Sequence, residues 1–170
     1  MCFPRGEEGV GAAGDPAWAA AAVLRGGEVV ATAVVEGIAG APYEPGLLAL
    51  REGPVLEAAV RALAVQPDIL IVNATGRDHP RRAGLALHLG AVLDVPSVGV
   101  TDRQLYDGED ARWAETRRRA KPLLVHGGWR TDKETAMRLI VPSALRARAR
   151  TPEPLRRARE LARRARSSAP

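Results

Sequence analysis

The chain has 170 residues, of which 46% are hydrophobic and 26% charged, a balance that is typical of globular proteins and excludes fibrous or wholly disordered ones. A single cysteine, Cys2, excludes an internal disulfide framework and a cysteine-based zinc site. The formal charge of +5 comes from the tail, because residues 146–170 contain nine arginines and only two glutamates. The total charge therefore does not predict a basic, nucleic-acid-binding surface on the rest of the chain.

The first third of the chain predicts a hairpin, a loop and a helix. Residues 17–24 and 27–35 are apolar, rich in alanine and valine and separated by glycines, which predicts two antiparallel strands. Residues 40–46 contain two prolines and predict a shaped loop, since proline fits neither a regular helix nor a central strand. Helical spacing of apolar residues over about 53–67 predicts a helix with Pro54 in its first turn.

The middle of the chain alternates short apolar segments with helical ones. Residues 68–72 and 96–100 predict strands that are buried on both faces, and residues 80–93 predict a helix between them. This order implies parallel pairing through right-handed crossovers, so we expect an α/β sheet that begins with the antiparallel hairpin. Residues 122–126 indicate a further strand and residues 131–140 a further helix, whereas the polar segment before them predicts no regular element.

The end of the chain predicts an arginine-rich helix at about 152–166 with a narrow apolar stripe. Two interpretations stay open. Either the stripe packs on the domain and the arginines are solvated, or the arginines also follow a phosphate backbone, with binding that weakens steeply as salt rises. We expect residues 1–170 to form one domain without a membrane-spanning segment and with a cytoplasmic location.

Polar residues follow the two predicted parallel strands, where ligands gather in sheets of this kind. The first strand runs into Asn73 and the loop up to Arg82, and the second runs into Asp102. Arg81 and Arg82 are placed at the positive end of a predicted helix, which disfavours them there. They are explained equally by contact with phosphate or by a salt bridge, for instance to Asp78.

Four motifs of the chain are distinctive, and the first is PYEPGLLALREGP at residues 42–54. These motifs resemble those of the endonuclease V family: residues 42–54 are similar to its PYIPGLLAFREGP, and residues 67–90 to its PDxxxVDGHGxxHPRRxGxAxHxG. Residues 94–100, DVPSVGV, resemble the start of its DIPTIGVAK, and residues 151–155 resemble its closing LPEP. The matches keep their order and spacing across most of the chain.

The resemblance implies an RNase H-like α/β fold, with a mixed sheet flanked by helices, and cleavage of DNA or RNA near inosine. In the family, clustered carboxylates hold Mg²⁺, which stabilises charge on the phosphate and activates water; Glu52 is the matching metal ligand. Tyr43 with Pro42 and Pro45 matches the wedge at the lesion, and Gly46 with neighbouring backbone matches the pocket for the flipped base. The other candidates for substrate contact lie in the matching strand-to-helix loop: Gly76, His79, Arg81 and Arg82.

The chain departs from the family at four functional positions. Asn73 replaces the aspartate at the end of the central strand, Asp102 replaces a lysine, and Trp129 replaces the histidine of a late GHR motif. The first-strand aspartate has no counterpart, because residues 6–13 contain no Asp. A site reduced to Glu52 and an amide is expected to bind Mg²⁺ poorly, unless Asp102 supplies a second carboxylate.

Two classes of function therefore stay open. One is an active or weak metal nuclease with Glu52, Asn73 and Asp102 as its catalytic residues and Tyr43 as its wedge. The other is a non-catalytic module that binds nucleic acid or a protein through the inherited groove. His79 has two interpretations as well, since it can close the turn before the helix or take part in catalysis.

Overall fold

The computed structural model describes residues 1–4, 11–105, 109–115, 121–146 and 151–169. It contains two compact units: unit 1 comprises residues 1–67 and 156–170, and unit 2 comprises residues 68–155. The expectation of a single domain stays a prediction. Within the described ranges, no helix has the length and apolar character needed to cross a bilayer.

Unit 1 begins with the predicted hairpin. Strands β1 (Pro16–Arg25) and β2 (Glu28–Ile38) pair antiparallel, which confirms the prediction. The turn between them depends on Gly26 and Gly27, whose φ angles of 61° and 94° lie in the left-handed region that favours glycine. The sequence predicted that this hairpin begins the larger sheet, and that prediction is wrong, because the two strands form a sheet of their own. Apolar patterning indicates that a segment is a strand but not which neighbour its outer edge pairs with, and here the outer edge of β1 pairs with Cys2.

A short N-terminal segment pairs with the outer edge of β1. The Cys2 N–H donates to the Trp18 carbonyl at 2.9 Å, and the Trp18 N–H donates to the Cys2 carbonyl at 3.0 Å. The thiol of Cys2 also contacts the Ala162 carbonyl at 3.1 Å. Cys2, which the sequence marked only as an unpaired cysteine, therefore joins β1 to the C-terminal helix.

Helix α1 (Leu48–Arg61) packs on the hairpin. Val55 and Ala59 of α1 are buried against Ala17 and Ala19 of β1, which forms the small core of unit 1. The helix begins about five residues earlier than predicted, so Pro54 lies inside it and not in its first turn. Proline leaves the carbonyl four residues before it without a helical donor, which the helix tolerates at this position.

Unit 2 is built on a four-stranded mixed sheet in the order β3-β4-β6-β5. Strands β3 (Leu70–Val72) and β4 (Ser97–Thr101) pair parallel, as predicted. Strand β6 (Leu123–Gly127) pairs antiparallel with β4 and with β5 (Ala111–Ala114), a strand the sequence did not reveal. Parallel pairing is thus confined, among the described residues, to one pair of strands.

Helices α2 (Leu85–Leu93) and α3 (Lys133–Arg146) cover the two faces of this sheet. Val98 and Val100 of β4 pack against Ile140 of α3, whereas the Ser97 hydroxyl, on the other face, donates to the Ala86 carbonyl of α2 at 2.6 Å. An α/β fold with a mixed sheet flanked by helices is therefore confirmed. Helix α4 (Glu153–Ser168) ends the chain, close to the predicted 152–166.

Helix α2 begins five residues later than the sequence predicted. Residues 80–84 form turns instead, and the Arg82 N–H donates to the His79 carbonyl at 2.7 Å. Arg82 has a φ of 46°, which no α-helix accommodates. The family-like proline pattern therefore marks a shaped loop and not a first helical turn.

Candidate functional site

Glu52, the predicted metal ligand, lies in the second turn of α1 and is half-buried. Burial raises the pKa of its carboxyl group, while the Met1 amine and the Arg51 guanidinium act in the opposite direction. The net pKa remains above its ordinary value.

Arg51, next to Glu52, fixes the loops of unit 1. Its side chain is only 4% exposed and donates to the carbonyls of Ala12 and Ala41 at 2.7 and 2.9 Å. It also forms a salt bridge of 2.8 Å with Asp15, and its Cζ lies 4.3 Å from the centre of the Phe3 ring. The Arg51 side chain therefore connects the segment before β1 to the start of the predicted wedge loop.

The predicted wedge loop presents its aromatic residue to solvent. Pro42 and Pro45 are exposed, and Tyr43 is 47% exposed, so Tyr43 does not plug the core. The Tyr43 N–H donates to the Gly11 carbonyl at 2.9 Å, which anchors the backbone while leaving the ring accessible. Gly46 has a φ of 85°, a conformation that explains why glycine follows the second proline.

Asn73 and Asp102 lie at the same edge of the sheet of unit 2. They follow β3 and β4, which are parallel neighbours with Val72 opposite Gly99. Asn73 is exposed, and the Asp102 side chain is 61% exposed with its carboxylate 4.0 Å from the Arg103 guanidinium. The predicted placement of both residues at the carboxyl ends of adjacent strands is confirmed, whereas their catalytic roles stay predictions.

The loop after β3 is packed closely against the end of β6. Gly76 has no room for a side chain, because an added Cβ atom would overlap the Gly127 carbonyl oxygen. His79 is buried, and its Nδ1 accepts a hydrogen bond of 3.2 Å from the Arg81 N–H, a contact that supports its turn-closing interpretation. Arg81 and Arg82 are exposed in this loop and precede α2, so their predicted position at a helix start is wrong.

Asp78 pairs with a histidine and not with one of the two arginines. Its Oδ2 lies 2.8 Å from Nδ1 of His126, and both side chains are at most 1% exposed. On the other side of the ring, Nε2 lies 2.8 Å from the Thr101 hydroxyl.

Sequence reasoning missed this buried chain of three polar residues. The one signal was a histidine that ends the apolar run 123–125, at a position where β6 is otherwise fully buried. A polar residue in such a strand needs a partner, and Asp78 and Thr101 are the partners. Since Thr101 immediately precedes Asp102, the chain reaches from the core to the sheet edge.

Trp129 occupies the position of the missing histidine and is held by its backbone. Its N–H donates to the Ser97 hydroxyl at 2.9 Å, and its carbonyl accepts from the Ser97 N–H at 2.9 Å. Its indole N–H is buried and, among the described residues, has no hydrogen-bond acceptor. An indole can donate but not accept or bind a metal, so Trp129 cannot replace a histidine in proton transfer or ligation.

Comparison with known proteins agrees with the motifs. The model of the endonuclease V family matches residues 9–115, more than half of the chain. The chain belongs to the endonuclease V family. Endonuclease V of Thermus thermophilus is 40% identical over 148 residues, which cover 75% of this chain and 65% of that protein. The chain spans less than two thirds of the length of the curated endonuclease V relatives it matches.

Solved endonuclease V structures share the fold. That of Streptomyces avermitilis has a TM-score of 0.80 at 35% identity, covering 88% of this chain and 74% of that one. Endonuclease V of Ciona intestinalis, in complex with a 24mer DNA that contains an inosine followed by a ribo-adenosine, has a TM-score of 0.71 at 20% identity and covers 81% and 73%. The second likeness concerns the fold alone.

The donors in the described residues do not make up a magnesium site of the endonuclease V type. Within those ranges, no group of three His, Cys, Asp or Glu side chains is arranged to hold a metal ion. Asn73 offers only a neutral amide oxygen where the family motif has an aspartate. Mg²⁺ prefers anionic oxygen ligands, so this position fits it poorly.

Proposed function

We propose that the chain recognises inosine-containing nucleic acid with the endonuclease V fold, and that its Mg²⁺-dependent phosphodiester cleavage is weak or lost. The observation that supports weak or lost cleavage is the placement of Asn73. It sits exposed at the carboxyl end of β3, where the family motif has an aspartate, and offers a neutral oxygen in place of a charged one. A nucleic-acid substrate agrees with the predicted cytoplasmic location.

Recognition is supported by the loop of residues 42–46. The aromatic ring of Tyr43 is half-exposed between two exposed prolines, and its backbone is held at Gly11. A rigidly anchored aromatic ring can fill the gap left when a base leaves the stack, and it can stack on a neighbouring base. The DNA bound by the Ciona relative contains inosine, the base for which this loop is proposed to act.

Residual cleavage is the alternative that one observation favours. Asp102 follows β4 at the same sheet edge as Asn73, and its side chain is 61% exposed. An exposed carboxylate at this edge could serve as a second anionic donor. It would then replace, in part, the charge that Asn73 lacks.

Binding and cleavage of the same strand test the two halves separately. A labelled DNA strand with one deoxyinosine and the same strand with deoxyadenosine are titrated with the protein, and then incubated with it in Mg²⁺ or Mn²⁺. We expect tighter binding of the inosine strand, little cleavage, and loss of the preference in Tyr43→Ala. Trp113→Ala, which removes an aromatic ring of similar exposure, 43%, on β5, is the matched control and should keep the preference.

Equal affinity of the wild-type protein for both strands contradicts the proposed recognition of inosine. Efficient cleavage that disappears in Glu52→Ala contradicts the proposed loss of catalysis. Cleavage that depends on both Glu52 and Asp102 instead supports the alternative of a residual metal nuclease.

A further inference from the structure

Helix α4 presents several arginines to solvent on one side. Arg159, Arg163 and Arg164 are exposed, and together with Arg156 they line a shallow surface groove that also contains Glu160, Ser167 and Ser168. These four arginines are called the arginine face below. The four arginines are three, four and one residues apart along the helix, so they form a stripe of roughly 12 Å.

The opposite side of α4 is fixed in unit 1. Ala162 is fully buried, and its carbonyl accepts the Cys2 thiol at 3.1 Å. The Arg166 guanidinium donates to the Phe3 carbonyl at 3.1 Å. The helix is therefore held in one orientation, which fixes the direction of the arginine face.

The positive charge of this face is only partly neutralised. Glu160 approaches Arg164 at 2.6 Å and Arg157 at 3.9 Å, so one carboxylate is shared between two arginines. Neither Arg159 nor Arg163 has a carboxylate partner within the part of the chain that the structure describes. Solvation of a helix does not require such an excess of positive charge, whereas the negative charge of a phosphate chain would complement it.

We propose that the arginine face of α4 is a phosphate-binding surface that holds the backbone of a nucleic-acid strand. It would bind by charge, independently of sequence, and add affinity to the recognition of inosine at the wedge loop. This inference rests on the proposed function for the identity of its partner. The matched motifs of the chain do not imply this role for α4.

The test measures how binding depends on salt. Fluorescence anisotropy of a labelled DNA duplex, with and without one deoxyinosine, is recorded at several salt concentrations for the full chain. Each arginine that contacts a phosphate contributes close to one to the slope of log K against log salt. We expect Arg159→Gln/Arg163→Gln to reduce the slope by about two and to weaken both duplexes about equally, by roughly tenfold or more at low salt.

A matched control changes the same charge elsewhere. Arg25→Gln/Arg138→Gln replaces two exposed arginines outside α4 and should leave the slope nearly unchanged. Both double variants should melt like the wild-type protein, because all four side chains lie at the surface. Equal slopes and affinities for the α4 variant and the control overturn the inference, whatever the protein does with inosine.

The two proposals can fail independently. If the wild-type protein binds both duplexes equally and the α4 variant loses that binding, the phosphate-binding surface stands and inosine recognition falls. If the wild-type protein prefers inosine and the α4 variant binds like the control, the reverse holds. If the wild-type protein binds neither duplex, both are overturned.

Discussion

Oδ2 of Asp78 lies 2.8 Å from Nδ1 of His126 in the interior of unit 2, and the two side chains are 1% and 0% exposed. The Gly76 N–H donates to the other carboxylate oxygen of Asp78 at 3.1 Å, and Thr101 contacts the far nitrogen of the ring at 2.8 Å. The pair thus connects the loop after β3, strand β6 and the end of β4. Loss of one partner would leave a buried polar group without compensation.

Removal of one partner should destabilise the protein strongly. Asp78→Asn is expected to lower the free energy of unfolding by about 3 kcal/mol, because the buried His126 would lose its carboxylate partner. Asp94→Asn is the matched control: Asp94 forms a 2.7 Å salt bridge with Arg130 in which both side chains are more than half exposed, so its loss should cost under about 1 kcal/mol. Urea unfolding measures both, and equal effects would contradict the structural role of the buried pair.

The lowered pKa of Asp78 predicts that the free energy of unfolding depends on pH in the acid range. Burial raises the pKa of Asp78, but the hydrogen bond and charge of His126 and the Gly76 N–H together lower it, so the net pKa lies below the ordinary 3.8. A lowered pKa in the folded state stabilises the protein above the unfolded value, and this contribution is lost as the pH falls through the folded one. The difference in unfolding free energy between wild type and Asp78→Asn should therefore shrink as the pH falls below about 4. A difference that stays constant down to pH 2 would contradict this account.

Arg51 should not tolerate replacement by lysine. Its planar group reaches two carbonyls and Asp15 at once, which a single ammonium group cannot reproduce. We expect Arg51→Lys to lose about 2 kcal/mol of stability in thermal or urea unfolding. Arg61→Lys, on the same helix with an exposed Glu57 partner, is the control and should change stability by less than about 0.5 kcal/mol.

Gly76 is constrained by space and Gly46 by conformation. A Cβ atom at Gly76 would overlap the backbone of Gly127, so Gly76→Ala should cost more than about 3 kcal/mol or prevent folding. Gly46 has a φ of 85° and needs only a local readjustment, so Gly46→Ala should cost about 1–2 kcal/mol. Melting temperatures measure both effects. A Gly76→Ala protein as stable as Gly46→Ala would contradict the close packing of this loop.

Local patterns predicted much of the fold. The hairpin, the two parallel strands and the terminal helix follow from apolar periodicity and from glycine turns, which act within a few residues. Strand β5 escaped prediction because its residues 111–114 include only one buried side chain, that of Ala114. The predicted start of α2 was too early because Arg82 adopts a left-handed conformation, which cannot be predicted from an arginine in the sequence.

The sequence predicted the positions of site residues only where a family motif or the order of the strands placed them. The exposed wedge loop and the positions of Asn73 and Asp102 after β3 and β4 followed from matched motifs and strand order. The contact of Asp78 with His126 joins residues 48 positions apart, and no pattern in either segment indicates it. The equivalence of residues 6–13 with the family's first strand falls mostly on residues 5–10, which lie outside the described residues.

Cleavage of an inosine-containing strand by the wild-type protein and by Asn73→Asp is the most direct test of the proposed function. The substitution restores the anionic oxygen that Mg²⁺ prefers and changes the size of the side chain little. We predict that the wild-type protein binds the strand with little or no cleavage in Mg²⁺ or Mn²⁺, and that Asn73→Asp cleaves it measurably faster. Robust cleavage by the wild-type protein that vanishes in Glu52→Ala would contradict the account.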